Sequence, residues 1–348
     1  MPTACFTQPQ SRVNLVRERL EVRGRTADGS GTEEVLREIP LRDLDRVIAV
    51  ESVQFTSQAM AALLREGIPV SLLGWNGQFL GGFLPAINHH GLTRLRQYER
   101  TREPAFALAM AGRIITAKLY NQRRVLQRLL AGRERRTETT SGDSWGDSIR
   151  ADLTWLDQLF GHVARSTSID ELRGHEGASS ARYFQAWAAF LPEAFPFERR
   201  TRRPPLNPVN ACISFGATLL YQESVAFLHA HGLDPALGLL HATEDGRWSL
   251  ALDLIEPFRP ALVEALALDL FTHQILAADH FEPNNGGIYL NDEGRKRFFL
   301  QYERRMERQF MSEAVGHRTT LRQQLEQQAV DLKAALEDPA RFEPFLIN

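Results

Sequence analysis

The chain has 348 residues, 43% of them hydrophobic, and a formal net charge of −2. This length exceeds a single hydrophobic core and predicts two domains, while the small net charge excludes a strong global pull on nucleic acid and leaves such binding to local patches. No apolar run approaches the ~20 residues of a membrane-spanning helix, the first residues lack a basic segment followed by an apolar one, and Cys5 and Cys212 are too few for a disulfide framework or a thiolate zinc site; the expectation is a cytoplasmic protein.

In chain order, residues 1–92 read as a β-rich domain. Apolar side chains recur through Val13–Leu15, Leu20–Val22, Val35, Ile39, Val47, Ile48 and Val50. Turns are predicted at Gly29–Gly31 and at Trp75-Asn76-Gly77, the latter joining Pro69–Leu73 to Phe79-Leu80 as a hairpin. One short helix, Thr56 to Glu66, presents Met60, Leu63 and Leu64 and stops at Gly67. Residues 93–103 read as a linker, and 104–348 as an α-helical domain, which makes the fold class α+β.

Helical periodicity begins in earnest at Pro104 and runs to Leu130 through Ile114, Leu119, Val125 and Leu129. Arg133 to Asp147, with Thr137–Gly142, reads as a surface loop. Asn207-Pro208 is a helix start, with Asn as cap and Pro in the first position, and Gly232 ends that helix after about 22 residues. Leu321, Leu325, Leu332 and Leu336 give the stretch from Thr319 to Leu336 an apolar face for a core or a partner. Only Lys118, Lys296 and Lys333 are lysines, the other basic residues being arginine, whose planar fork matches phosphate oxygens. A GC-rich coding sequence produces the same bias.

Four polar residues stand out as a ligand set for a divalent metal: Glu176 between two glycines, His241, Asp253 and Glu256. Carboxylate oxygens with one imidazole suit magnesium or manganese better than zinc. Such a metal polarises phosphoryl oxygens, which points to phosphodiester chemistry. Each residue also has an ordinary structural reading. Gly174–Gly177 looks like a turn leading into a helix, where an acid is favourable. Asp253 and Glu256 share a face of a helix expected to begin near Asp253 and to kink at Pro257 and Pro260, where Arg259 could neutralise them as well as a metal could. For His241, burial in the core is the alternative, and His175, His229 and His231 are rival ligands. The basic clusters Arg199, Arg200, Arg202, Arg203 and Arg295, Lys296, Arg297 read either as solvated faces or as phosphate tracks.

At these residues the sequence resembles the CRISPR-associated spacer-acquisition integrase family, the number-one protein of the Cas series. The resemblance runs from Gly67–Val70 through Ala117-Lys118 with Asn121–Arg123, Gly174–Gly177 with Tyr183-Phe184, Arg203–Ala211 with Ser214–Gly216, and Gly232–Pro235 with Gly238–His241. It continues through Ser249–Pro260 to Gly287–Leu290 and Gly294-Arg295. The resemblance implies an N-terminal β domain that dimerises, a helical catalytic domain, and a homodimer assembled with a small ferredoxin-like adaptation partner. It implies Mg2+ or Mn2+ bound by Glu176, His241 and Glu256, with Asp253 as a further catalytic acid. Some relatives carry aspartate where Glu256 stands. The implied reaction is attack by the 3′-hydroxyl of a short DNA duplex on a phosphodiester at a CRISPR repeat. Arg199, Arg200, Arg202, Arg203, Arg259, Asn210 and Tyr183 are then the candidate DNA contacts. Two alternatives stay open, a metal nuclease that only cleaves branched DNA and a DNA-binding scaffold whose acids are structural.

Overall fold

A computed structural model describes all residues except 1, 2, 7, 9, 26–32, 75–78, 87–89, 136–143 and 314. The turns expected at Gly29–Gly31 and Trp75–Gly77, and the loop residues Thr137–Gly142, lie outside the described residues. The chain divides into two compact units, residues 1–88 and 89–348.

The first unit contains β1 (Thr3–Phe6), β2 (Arg12–Val16), β3 (Arg19–Arg25), β4 (Glu33–Pro40), β5 (Arg46–Val50), β6 (Gln54–Phe55), α1 (Ser57–Arg65), β7 (Val70–Leu73) and β8 (Phe79–Phe83). They form two four-stranded sheets, ordered β1-β5-β7-β8 and β4-β3-β2-β6. In the first, β5 runs parallel to β1 and β7, and β8 returns antiparallel to β7 as the hairpin signal predicted. Every residue of β5 is buried, which is why Val47-Ile48-Ala49-Val50 reads as a continuous apolar run, as parallel strands do. Val13, Leu20, Val47, Leu63 and Val70 meet in one core. Helix α1 forms where expected because the Thr56 hydroxyl accepts from Ala59 N at 3.3 Å, and it stops where Gly67 takes a φ of 75°.

The second unit begins with α2 (Gly91–Thr101), so the stretch expected as a linker is largely helix. Then follow α3 (Pro104–Glu134), α4 (Ser144–Arg165), α5 (Ile169–Ala188), α6 (Pro208–Ala230), α7 (Ser249–Ile255), a wide π-type turn (Pro260–Glu264) and α8 (Ala265–Thr272). Next come a ribbon of β9 (Phe281–Asn284) and β10 (Gly287–Leu290), α9 (Asp292–Glu307), a two-residue ribbon of β11 (Phe310–Met311) and β12 (Arg318–Thr319), and α10 (Leu321–Ala335). Helices thus dominate this unit after the strand-rich start, and the fold class is α+β. The two short ribbons were not foreseen. The expected loop Arg133–Asp147 is shorter at both ends, because α3 continues to Glu134 and α4 starts at Ser144.

Helix α3 packs against α4 and α5, and α6 against α7 and α10. Asn207 caps α6 by accepting from Asn210 N at 2.8 Å, and Leu321, Leu325, Leu332 and Leu336 of the last helix face the core. Contrary to the sequence expectation, α6 is long and apolar enough to cross a membrane by length and composition. The rest of the unit buries 67% of it, and its Glu223 meets Arg322 of α10, so it is a core helix. The helix bearing Asp253 starts at Ser249, before that acid. Pro257 and Pro260 are accommodated because α7 ends ahead of them and the chain then widens into the π-type turn instead of kinking.

Candidate active site

The site is assembled from α3, α5, the loop before α7 and the end of α7. Helix α5 is set by Ser168, whose hydroxyl accepts from Glu171 N at 3.2 Å, with Asp170 and Glu171 in its first turn. Glu176 therefore lies two turns inside a helix and not at its start. The sequence reading placed the turn at Gly174 because it gave glycine more weight than the serine cap upstream. A methyl group added at Gly174 or Gly177 would meet nothing within 4 Å. Gly177 leaves bare helix surface beside the face that carries Glu176, and Gly174 leaves it on the far side of the helix.

Lys118 of α3 is the centre of the cluster. Its ammonium donates to Glu176 Oε1 and to Glu256 Oε2. Ser180 Oγ adds a bond to Glu176 Oε1 at 2.9 Å, and Arg259 Nη1 donates to Glu256 Oε1 at 3.0 Å. The exposures are graded. Side chains of Lys118 and Glu256 are each 4% accessible and Asp253 is sealed, whereas Glu176 is 27% and His241 33% accessible. The cluster has a dry floor and an open rim.

Asp253 has a different task from Glu256. Its carboxylate accepts from the backbone N–H groups of Leu239 (2.6 Å), Leu240 (2.9 Å) and His241 (2.9 Å), and from His241 Nδ1 at 2.6 Å. A carboxylate with four donors is filled, and it acts on the site by orienting the imidazole. In the neutral ring Nδ1 then carries the proton and Nε2 keeps its lone pair. Gly238 makes the approach possible, since a Cβ there would lie 2.1 Å from the His241 carbonyl oxygen. Arg173, one turn before Glu176, donates from Nε to Leu240 O at 2.8 Å and so ties the His241 loop to α5.

The electrostatics follow from this geometry. Burial alone would raise the Glu256 carboxyl, but Lys118, Arg259 and His241 outweigh it and hold the group well below the usual carboxylate range. Burial likewise opposes ionisation of Glu176, and Lys118 again reverses the sign, against the repulsion of Glu256. Burial would lower His241, yet its bond to Asp253 raises it above an ordinary histidine.

The structure thus joins Glu176 and Glu256 through one cation and sets His241 within the field of Glu256. Among the described residues, no group of three or more His, Cys, Asp or Glu is arranged to hold a metal by itself. The donor chemistry nevertheless fits a hard cation, because the Lys118 ammonium stands as a surrogate positive ion between two carboxylates, and His241 Nε2 has no hydrogen-bond partner among the described residues. The rival histidines are used elsewhere. His231 Nε2 lies 3.3 Å from Glu326, and the His229 ring packs against Trp248. His175 sits against His162.

Several expected DNA contacts turn inward. Tyr183 is fully buried, and its hydroxyl is raised by burial and by Glu264. Asn210 is also sealed, its amide serving Arg199 O at 2.9 Å and Thr201 N at 2.9 Å. Arg200 reaches inward to Asn210 Oδ1 and Ser214 Oγ, and burial with Arg259 nearby lowers it to about 9. Arg259 is buried against Glu256. Arg199, Arg202 and Arg203 remain exposed. In the later basic run, Arg295 is buried and bonds Leu290 O, while Arg297 pairs with Glu293, as a helix face does.

Two contributors were missed from the sequence. Lys118 carries two signals in the sequence, its place beside Ala117 in the family resemblance and its rarity among so many arginines, and neither assigns it to the site. Asn121, one turn later, ties α3 to Pro257 O (2.7 Å), Phe345 O (2.8 Å) and Ile347 N (2.9 Å) and so fixes the floor of the site. Nothing local in the sequence marks that role.

The family model for the CRISPR-associated protein Cas1 matches residues 5–304. A CRISPR-associated endonuclease Cas1 of Thermus thermophilus is 33% identical over 90% of this chain and 93% of its own length. A Cas4 exonuclease/Cas1 endonuclease fusion of Geobacter sulfurreducens is 35% identical over 84% of this chain, which spans only 52% of that protein. Among solved structures, a casposase bound to an integration product shares the fold, with a TM-score of 0.82, 21% identity, and coverage of 97% of this chain and 91% of that one. A Cas6-RT-Cas1–Cas2 complex contains a chain that is 26% identical, with a TM-score of 0.79, covering 99% of this chain and 36% of that one. Through this match along most of its length, the chain belongs to the CRISPR-associated Cas1 endonuclease family.

Proposed function

We propose that this protein is a metal-dependent DNA endonuclease and integrase of CRISPR adaptation, which inserts short duplex DNA at CRISPR repeats. The observation that carries the reading is the meeting of Glu176 and Glu256 on one buried cation, beside an imidazole whose Nδ1 is fixed by Asp253. Glu176, Glu256 and His241 Nε2 would hold the metal, Mg2+ or Mn2+ by the oxygen-rich donor set. When bound, such an ion stabilises negative charge on phosphoryl oxygens.

The chain's own residues supply the rest. The half-open rim admits a polymer strand, and the bare helix surface at Gly177 lets its backbone approach Glu176. Arg199, Arg202 and Arg203 hold phosphates, so that binding weakens as salt rises. Attack of a 3′-hydroxyl on a phosphodiester exchanges one ester for another and needs neither nucleotide hydrolysis nor a covalent enzyme intermediate. The assembly is a homodimer built through the strand-rich unit and completed by a small ferredoxin-like adaptation partner. The resemblance in fold to a chain of a Cas6-RT-Cas1–Cas2 complex supports assembly with a Cas partner.

Labelled oligonucleotides test the reading directly. Joined products are expected with a repeat-bearing target and Mg2+ or Mn2+, and shortened products alone would count against integration. Asp253→Asn should lower metal affinity by about 10–100-fold, the usual effect of losing an orienting partner. It should also cost about 3 kcal/mol of stability, since an amide nitrogen in place of one carboxylate oxygen leaves two of the four donors without an acceptor. Calorimetric metal titration and denaturant unfolding measure both. Gly177→Ala should raise stability by roughly 0.5–1 kcal/mol, because alanine suits a helix interior better and has open space there. Joining by that variant should fall; an undiminished rate would remove the proposed strand approach at this face.

A further inference from the structure

Around the candidate site, the charges are already matched. Glu176 and Glu256 are met by the Lys118 ammonium and the Arg259 guanidinium, and Asp253 is met by His241 and three backbone N–H groups. A divalent ion adds two positive charges to a pocket where Lys118 is 3% exposed and Glu256 equally so. Unlike-charge attraction and like-charge repulsion are both strong at such burial. An ion coordinated by Glu176 and Glu256 competes with the ammonium that now bonds both. The displaced group then needs another anion, and the accessible side of the cluster, at Glu176 and His241, is where a phosphodiester would lie.

We propose that Lys118 is the resident counter-cation of this site: it cedes Glu176 and Glu256 to an incoming divalent ion and turns to the phosphate of the bound DNA strand, so that metal and DNA bind cooperatively. The proposal rests on the metal-site reading above and assigns a role to the one lysine in the cluster. Before the metal arrives, Lys118 keeps two acids together that would otherwise repel. Afterwards it supplies a flexible point charge to the strand, which a planar, directionally bonded guanidinium would do less freely. By thermodynamic reciprocity, DNA must tighten metal binding by the factor by which metal tightens DNA binding.

The scarcity of lysine makes this testable in the unaltered protein. With 15N at the lysine side-chain nitrogens, only Lys118, Lys296 and Lys333 give signals, and a buried ammonium is distinguished by its slow proton exchange. Mg2+ with a short DNA duplex should shift the Lys118 signal and speed its exchange, together with a shift of the His241 ring signals. In calorimetry, the duplex should tighten Mg2+ binding by about 10-fold or more. Lys118→Met should bind Mg2+ more tightly than the parent without DNA and should reduce that coupling to less than about 2-fold. A Lys118 signal unmoved at saturating Mg2+ and DNA, while His241 responds, overturns the proposal and leaves the metal site standing. Silence of both residues sinks the metal-site reading and the proposal with it.

Discussion

His241→Ala should reduce the joining of a labelled duplex to a repeat-bearing target by more than the ~10–100-fold that loss of an outer partner costs. The substitution removes the imidazole whose Nε2 has no hydrogen-bond partner among the described residues, and it leaves Lys118, Glu176 and Glu256 in place. Because the ring is one-third exposed and Asp253 keeps its three backbone donors, the folded state should lose only about 1 kcal/mol. Activity and stability therefore separate, which distinguishes a catalytic imidazole from a structural one. A folded variant that joins DNA at the parental rate would favour the scaffold reading, in which the acids and Lys118 form only an internal ion network.

The largest stability effect is expected far from this chemistry, at Arg322 of α10. Its guanidinium meets Glu223 (3.2 Å), Glu303 (2.9 Å) and Glu307, and Tyr302 Oη donates to the same Glu223 at 3.2 Å. Arg322 and Glu223 are both almost wholly buried, so removing the cation strands a carboxylate in a dry core. Arg322→Ala should cost about 3–5 kcal/mol, the usual result of breaking one side of a buried ion pair. Urea unfolding measures the loss. Arg322→Met paired with Glu223→Leu should recover much of it, since replacing a whole buried pair by apolar groups is often neutral. A single variant within about 1 kcal/mol of the parent would show that entering water or protonation of Glu223 relieves the stranded charge instead.

Much of the scaffold could be read from periodicity and caps. Thr56 and Asn207 mark the starts of α1 and α6, and each side chain does accept the backbone bond its type allows. The buried run at Val47–Val50 marks a parallel strand. The start of α5 was misplaced because Ser168 is a single residue among polar neighbours while two glycines nearby suggest a turn. At the site, chemical type was legible but direction was not. Asp253 and Glu256 share a helix face by spacing, yet one is filled by the Leu239–His241 backbone and the other reaches Lys118. Tyr183, Asn210 and Arg259 look like surface recognition groups in a sequence, and only packing shows that they face inward.

The wide turn at Pro260–Glu264 has a mechanical effect on the acid upstream of it. Arg259 binds Glu256 three positions before it and is also drawn by Glu264, five positions after it. An ordinary helix would rotate a residue five positions on to a different side, whereas an i to i+5 turn brings it back beneath Arg259. The guanidinium thus lies in the field of a second buried acid besides the one it bonds. A deletion of one residue within this turn would swing Glu264, together with α8, around the axis. Damage there would reach the reaction centre by leverage, with every proposed ligand still present in the chain.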